Sequence, residues 1–374
     1  MIAVTRDPSG IEYDAWLASA CIPSGLAGKL LAQYGSACKC YEAFMRKDES
    51  FTKTVPPRFC RILEQNSTEE KLQYYRNRIE KHNIRVIRSG SQEYPEALYD
   101  IEDPPAVLFY QGNPECLEAR KLAMVGSRAA SYNGQKAAMK LAKELSRNGI
   151  TIISGMACGI DTSAHQGCID GGKPTIAVTG CGLDRVYPTD NTRLRDRILD
   201  EGGLIISEYA PGEPPLGWHF PVRNRIITGL ANAVILMEAK IRSGSMTSVQ
   251  HALEQGKEIF VYPGDPDSEQ YSGNHQLLRE GGIYFTSAED ILEDMHWLDN
   301  PPAVRQNSDC SAESAASTPE EMSVIKALKP GSLSFEQLSG MTGIEPARLM
   351  STLTILQIRG IIESMPGKIY QIKH

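Results

Sequence analysis

The chain has 374 residues, a 41% hydrophobic share and a formal net charge of −7 at pH 7, with a pI near 5.6. That length allows two or three domains with ordinary cores, and no apolar run reaches bilayer length or reads as a signal-peptide h-region, so a cytoplasmic protein with no membrane partner is expected. The acidic balance argues against a general positive field that coats nucleic acid; any phosphate binding has to be local, built from loops and a few arginines. Nine cysteines contain no C-x-x-C pair, the closest spacing being Cys38-x-Cys40. Reduced, mostly buried thiols are therefore expected, with no disulfide framework, no metal site and no cofactor.

Residues 1–83 read as an N-terminal helical domain of the SAM or helix-hairpin-helix kind. Apolar positions recur at helical spacing over 13–21, 26–33 and 40–44, and a Ser67-x-x-Glu70 capping box starts a longer helix that runs to His82. The stretch 22–36 has a hairpin outline whose glycine turn either offers amides to a DNA phosphate or simply packs. Residues 84–297 form the next domain. Extended pieces at 84–87 and 104–110 precede a regular alternation, with strands expected at 121–125, 150–153, 175–178, 204–206, 233–237, 258–261 and 283–285. Helices begin between them near 134, 160, 191, 222, 247 and 274. Near-continuous apolar strands alternating with amphipathic helices predict an α/β fold, an extended Rossmann-like parallel sheet buried on both faces. Residues 298–319 are rich in small, polar and proline residues and read as a flexible linker. Residues 320–374 then show three helices and two short extended pieces joined at Pro366-Gly367, the outline of a winged helix. Its recognition-helix arginines, Arg348 and Arg359, are few, so DNA contact and protein contact both stay open.

Five short runs, four of them rich in glycine or serine and one aromatic and basic, sit where predicted strands end and helices begin. In a parallel sheet those ends share one edge, so the loops converge on one crevice, and helix N-termini there favour anions. The runs supply Gly126, Ser127 and Arg128; Ser154, Gly155 and Gly159; Gly182; Phe220, Arg223, Asn224 and Arg225; and Ser243, Gly244 and Ser245. Arg128 follows a glycine turn and suits bidentate phosphate contact, with an interdomain salt bridge as the other reading. The run Trp218-His219-Phe220-Pro221-Val222-Arg223-Asn224-Arg225 is the densest aromatic-plus-basic stretch in the chain. Aromatic faces stack on unpaired bases while arginines hold the backbone, although Trp218 and Phe220 could equally be core contacts. Asp161 and His165, four apart on one helical face, suit either acid/base work on a nucleotide or structural capping and hydrogen bonding. No G-x-G-x-x-G dinucleotide fingerprint, Walker A motif, G-x-S-x-G elbow or H-E-x-x-H motif is present, and nothing in the sequence demands catalysis.

At these motifs the chain resembles the DNA-processing protein A family, DprA or Smf. The resemblance rests on V-G-S-R (125–128), S-G-M-A-C-G-I-D-T-S-A-H (154–165), T-I-A-V-T-G-C-G-L-D-R-V-Y-P (175–188), F-P-V-R-N-R-I-I (220–227), R-S-G-S-M-T (242–247) and Y-P-G-D (262–265). Cys181 and Ser248 depart from the family's commoner residues by small-for-small changes. The resemblance implies a non-enzymatic recombination mediator of natural transformation that protects incoming single-stranded DNA and loads the RecA recombinase onto it. It implies a homodimer through the Rossmann-like domain, with single-strand-binding protein a further partner; no motif assigns the dimer surface, and the interface is expected near residues 246–259. Two readings compete with it: a Rossmann-type nucleotide phosphoribohydrolase, whose P-G-G-x-G-T loop is not matched at Pro263-Gly264-Asp265, and a winged-helix transcription regulator with a ligand sensor.

Overall fold

The computed structural model describes residues 10–298, 319–328, 333–358, 362–365 and 369–372. The chain divides into two units, 1–302 and 303–374, each with its own apolar core. The larger unit opens with six helices, α1 (Ile11–Ala18), α2 (Ser24–Tyr34), α3 (Ala37–Met45), α4 (Glu49–Thr54), α5 (Pro57–Gln65) and α6 (Glu69–Lys81). They close around Trp16, which is fully buried and donates its Nε1–H to the Leu63 carbonyl at 3.0 Å. The sequence pattern misses α4, which at six residues is too short for apolar periodicity to register, and α5, which begins directly at the Pro56-Pro57 pair. Local chemistry sets both: Asp48 caps α4 by accepting the Ser50 and Phe51 N–H groups, and Pro57 opens α5, where its missing N–H costs nothing. The expected capping box is displaced by one residue. Thr68, not Ser67, accepts the Lys71 N–H, while the Ser67 hydroxyl turns back to the Glu64 carbonyl.

Nine strands follow: β1 (Arg85–Arg88), β2 (Val107–Gly112), β3 (Lys121–Val125), β4 (Thr151–Ser154), β5 (Ile176–Val178), β6 (Leu204–Ser207), β7 (Ala233–Leu236), β8 (Ile259–Val261) and β9 (Ile283–Tyr284). They form one sheet in the order β1-β2-β6-β5-β4-β3-β7-β8-β9. Strands β3 to β9 pair in parallel, and β1 and β2 extend the sheet antiparallel, with Phe109 opposite Ser207. Between the parallel strands run α7 (Tyr132–Arg147), α8 (Ile160–Gly171), α9 (Thr192–Asp200), α10 (His219–Leu230), α11 (Met246–Glu254) and α12 (Ser272–Arg279), with α13 (Ala288–Asp294) closing the unit. Alternate residues of β3 enter different cores, Ala123 and Val125 on one face and Leu122 and Met124 on the other. That is why the central strands read as unbroken apolar runs: period two puts side chains on both faces, and both faces are covered. Strand order reverses at β3, with β4 to β6 on one side and β7 to β9 on the other. This is the topological switch point at which open α/β sheets leave a crevice.

The smaller unit holds α14 (Pro319–Leu328), β10 (Leu333–Ser334), α15 (Phe335–Thr342), α16 (Pro346–Ile358), β11 (Ile362–Met365) and β12 (Ile369–Ile372). Its antiparallel sheet, β10-β12-β11, gains the short strand β10 beyond the expected hairpin. Ser334 and Gln337 make a reciprocal capping box on α15, and Leu338, Leu349, Leu353 and Leu356 fill the core. This is a winged-helix fold. Arg348 is exposed and pairs with Glu320 at 3.4 Å. Arg359, the Pro366-Gly367 turn and residues 299–318 of the expected linker lie outside the described residues. Among the described residues no helix is long and apolar enough to cross a membrane.

Candidate nucleic-acid interface

An open cleft of about 470 Å³ lies at the switch point. Its walls are the loops after β3 (Gly126, Ser127, Arg128), β4 (Ala157, Asp161) and β7 (Ser243, Gly244, Ser245), together with the start of α10 (Phe220, Arg223, Asn224). Four of the five runs therefore converge, as parallel strands require. The fifth does not. Gly182 is buried beneath the 210–213 loop and donates its N–H to the Glu213 carbonyl at 3.0 Å.

Close backbone approach holds the walls together. Gly159 has a φ of +77°, and a Cβ there would stand 2.3 Å from the Ser127 carbonyl oxygen. The next residue, Ile160, donates its N–H to that same oxygen at 3.2 Å, while the Ser127 N–H reaches the Glu238 carbonyl at 2.7 Å. Glycine alone fits this interlock. Arg128 stands exposed at the rim with its guanidinium 4.9 Å above the Phe220 ring, and it makes no ion pair with any described residue. Tyr187, itself exposed, approaches the Phe220 ring at 5.3 Å. The result is a cation seated on an aromatic plinth beside a glycine turn.

Arg223 occupies the floor rather than the surface. It is 2% exposed, and its Nη1 donates to the carbonyls of Gly155 (2.8 Å) and Val178. A Cβ on Gly155 would come within 2.6 Å of Arg223 Nη2 and 2.8 Å of Asp161 Oδ2, so this glycine makes room for both charges. Burial lowers the Arg223 pKa to about 10, opposed by the Asp161 charge, which leaves the guanidinium protonated at neutral pH. Burial likewise raises the Asp161 carboxyl, opposed by Arg223 and by the Gly155 and Ala157 N–H groups at 3.1 and 3.3 Å. His165 is fully buried away from the cleft. Its Nδ1 meets the Thr175 hydroxyl at 2.8 Å, and because that hydroxyl donates onward to the Ile152 carbonyl, the imidazole is the donor. Burial first and Arg223 second push the His165 pKa to about 3. Sharing a helical face does not bring Asp161 and His165 to one solvent site; both serve as buried structural groups.

Five more expected groove residues do not line the cleft: Gly155 and Gly159 stand behind its walls in the close contacts described above, and three others turn elsewhere. Arg225 turns to the opposite side of α10, 7% exposed, where both terminal nitrogens meet Glu208 at 2.8 Å and Nε donates to the Asp103 carbonyl at 2.9 Å. Ser154 is buried and donates to the Met124 carbonyl at 2.7 Å. Gly182 packs as described. The reason in F-P-V-R-N-R is helical: successive residues lie about 100° apart, so positions 223, 224 and 225 cannot face one groove. Asn224 stays at the cleft and donates to the Thr247 hydroxyl at 2.9 Å, tying α10 to α11, and Ser243 and Ser245 share a hydroxyl contact of 2.7 Å. The N-terminal hairpin is engaged inward, its Gly25 N–H donating to Asp103 Oδ1 at 3.1 Å. A carboxylate of the larger unit thus stands where a phosphate would.

Two residues escape the sequence pattern. Tyr187 extends the aromatic rim, and its signal is an aromatic before a proline in R-V-Y-P. Glu238 is fully buried at the end of β7 and accepts from the Ser131 N–H and hydroxyl, which fixes the start of α7 behind the cleft. An acid directly after an apolar strand was its signal.

The family model for DNA recombination-mediator protein A matches residues 85–296, and that for the DprA winged helix domain matches residues 309–368. The DNA processing protein DprA of Streptococcus pneumoniae is 46% identical over 204 residues, which cover 54% of this chain and 72% of that protein. The X-ray structure of DNA processing protein A from Streptococcus pneumoniae superposes with a TM-score of 0.65 at 36% identity, covering 76% of this chain and 97% of the other. A structure of DNA processing protein A from Helicobacter pylori, described as revealing a single-stranded DNA binding mode, gives a TM-score of 0.51 at 29% identity, covering 57% and 95%.

Proposed function

Because the chain belongs to the DNA recombination-mediator protein A family, whose relatives are DNA-processing proteins, we propose that it binds single-stranded DNA in the switch-point cleft. The observation that carries this reading is Arg128, exposed beside a glycine turn and seated on Phe220. A phosphate accepts the guanidinium fork while bases meet the Phe220 and Tyr187 rim, which is how a single strand is held without sequence readout. A local contact of this kind, through one exposed guanidinium and an aromatic rim, does not need a general positive field and so is compatible with a net charge of −7. Its role in this reading is that of a mediator, not an enzyme: it protects the strand during natural transformation and loads RecA onto it, acting in the cytoplasm as a dimer through the Rossmann-like domain, with single-strand-binding protein as the factor displaced. The resemblance and the family's mediator description support that role. The hydrolase alternative needs an accessible carboxylate in the cleft, whereas Asp161 is 8% exposed and accepts two backbone N–H groups.

A salt titration of binding to a labelled oligonucleotide tests the site. Wild type is expected to prefer single strand over duplex, with affinity falling as salt rises through counterion release. Arg128→Ala should weaken binding about tenfold and reduce the salt slope by about one, as loss of one charge-assisted phosphate contact requires. Unchanged affinity and slope in that variant would remove Arg128 from the interface.

A further inference from the structure

The turn between α1 and α2 brings Cys21 against the loop that leads into α10. Its sulfur, a carboxylate oxygen of Glu213 and a ring nitrogen of His219 all lie within 4.8 Å of one another. His219 is fully buried, with Nδ1 at 3.0 Å from the Gly180 carbonyl. A carbonyl only accepts, so in the neutral ring Nδ1 carries the proton and Nε2 presents a lone pair. That Nε2 has no hydrogen-bond partner among the described residues and faces Glu213 Oε1 at 3.9 Å. A buried lone pair turned toward a carboxylate is costly unless something positive lies between them. Either a proton on Nε2 or a metal ion would supply that charge, and the metal also engages the nearby sulfur.

We propose that Cys21, Glu213 and His219 form a binding site for a borderline-soft divalent metal of the zinc class, joining the N-terminal helices to the sheet. One thiolate, one imidazole and one carboxylate are a donor set that zinc accepts and that calcium or magnesium does not favour. Tetrahedral zinc, with bonds of about 2.0–2.3 Å, places its ligand atoms roughly 3.3–3.8 Å apart, so small side-chain rotations close the site. The surroundings already match a ligating histidine: a backbone carbonyl fixes the tautomer, and the Tyr209 ring stacks on the imidazole at 3.8 Å. Cys21 and Glu213 are half-buried, which leaves a side open for water as fourth ligand. On binding, the Cys21 thiol releases its proton to solvent and its sulfur becomes the thiolate ligand. This departs from the expectation of inert thiols, because the ligands come from positions 21, 213 and 219 and share no motif.

None of the three residues lines the DNA cleft, so the test is independent of the DNA reading. The full chain, stripped with a chelator, is titrated with Co²⁺ and then Zn²⁺. One Co²⁺ per chain is expected, with a thiolate-to-cobalt charge-transfer band that Zn²⁺ bleaches. Cys21→Ser should abolish the band. Glu213→Gln should keep the band but weaken affinity by at least about tenfold, since even outer-shell partners are worth that much. Zn²⁺ should raise the melting temperature of wild type and not of Cys21→Ser, which also checks that the variant folds. The proposal falls if wild type shows no band, if the band survives in Cys21→Ser, if Glu213→Gln binds as wild type does, or if Zn²⁺ stabilises both proteins equally.

Discussion

The two sides of α10 treat the same residue type in opposite ways. On the sheet-edge side, Arg128 stands in solvent on the Phe220 ring, and Arg223 beneath it is spent on backbone carbonyls. On the other side, Arg225 is locked to Glu208 and Asp103 against the N-terminal helices, beside a cavity of about 230 Å³ that also receives Trp218. Arginine in a motif is therefore no guide to ligand contact. What separates the two sides is how far the guanidinium's donors are already satisfied within the protein: Arg225 engages Nε and both terminal nitrogens, Arg223 engages Nη1 and Nε, and Arg128 keeps its fork for a ligand.

The largest expected effect breaks the seam side. Arg225→Ala leaves the largely buried Glu208 without its partner and should cost about 3–5 kcal/mol of stability in denaturant unfolding. Oligonucleotide affinity of the folded fraction should stay near wild type; a selective loss of affinity would move Arg225 into the interface. On the cleft side the expectation reverses. Phe220→Ala should lose about 1–3 kcal/mol of single-strand affinity. Combined with Arg128→Ala, the losses should fall short of additive, because Phe220 acts partly by seating that guanidinium. Strict additivity would show that the ring and the cation work separately.

The smallest effect probes the buried layer behind the cleft, where His165 lies. The folded pKa of His165, about 3, lies below the ordinary histidine value of about 6.5, so the unfolded chain takes up the proton more readily. Stability from this group is complete above about pH 6.5 and is lost progressively as pH falls toward 3. Between pH 7.5 and 5.5 wild type should lose about 1 kcal/mol more than His165→Gln in denaturant midpoints. Equal losses would mean that His165 is not held neutral.

Much of the architecture was legible before folding was considered. The strands at 121–125, 204–207 and 233–236 follow from apolar runs bounded by turns, and the glycine at 159 follows from a backbone that must pass another backbone. The short helix α4, the antiparallel addition of β1 and β2, and the third strand of the winged helix were not legible. Each depends on a local cap or on pairing with a distant partner, not on a repeating pattern.

The sequence by itself determined that the strand-end loops share one edge and that Gly126, Ser127, Arg128 and Phe220 lie at it. Strand period, parallel connection and the glycine turns leave little alternative. Only the tertiary structure decided which cations reach solvent. Helical phase sends residues 223 and 225 to different neighbours, and burial makes each neighbour, the carbonyls of 155 and 178 or the carboxylate of Glu208, the partner that a desolvated charge must have.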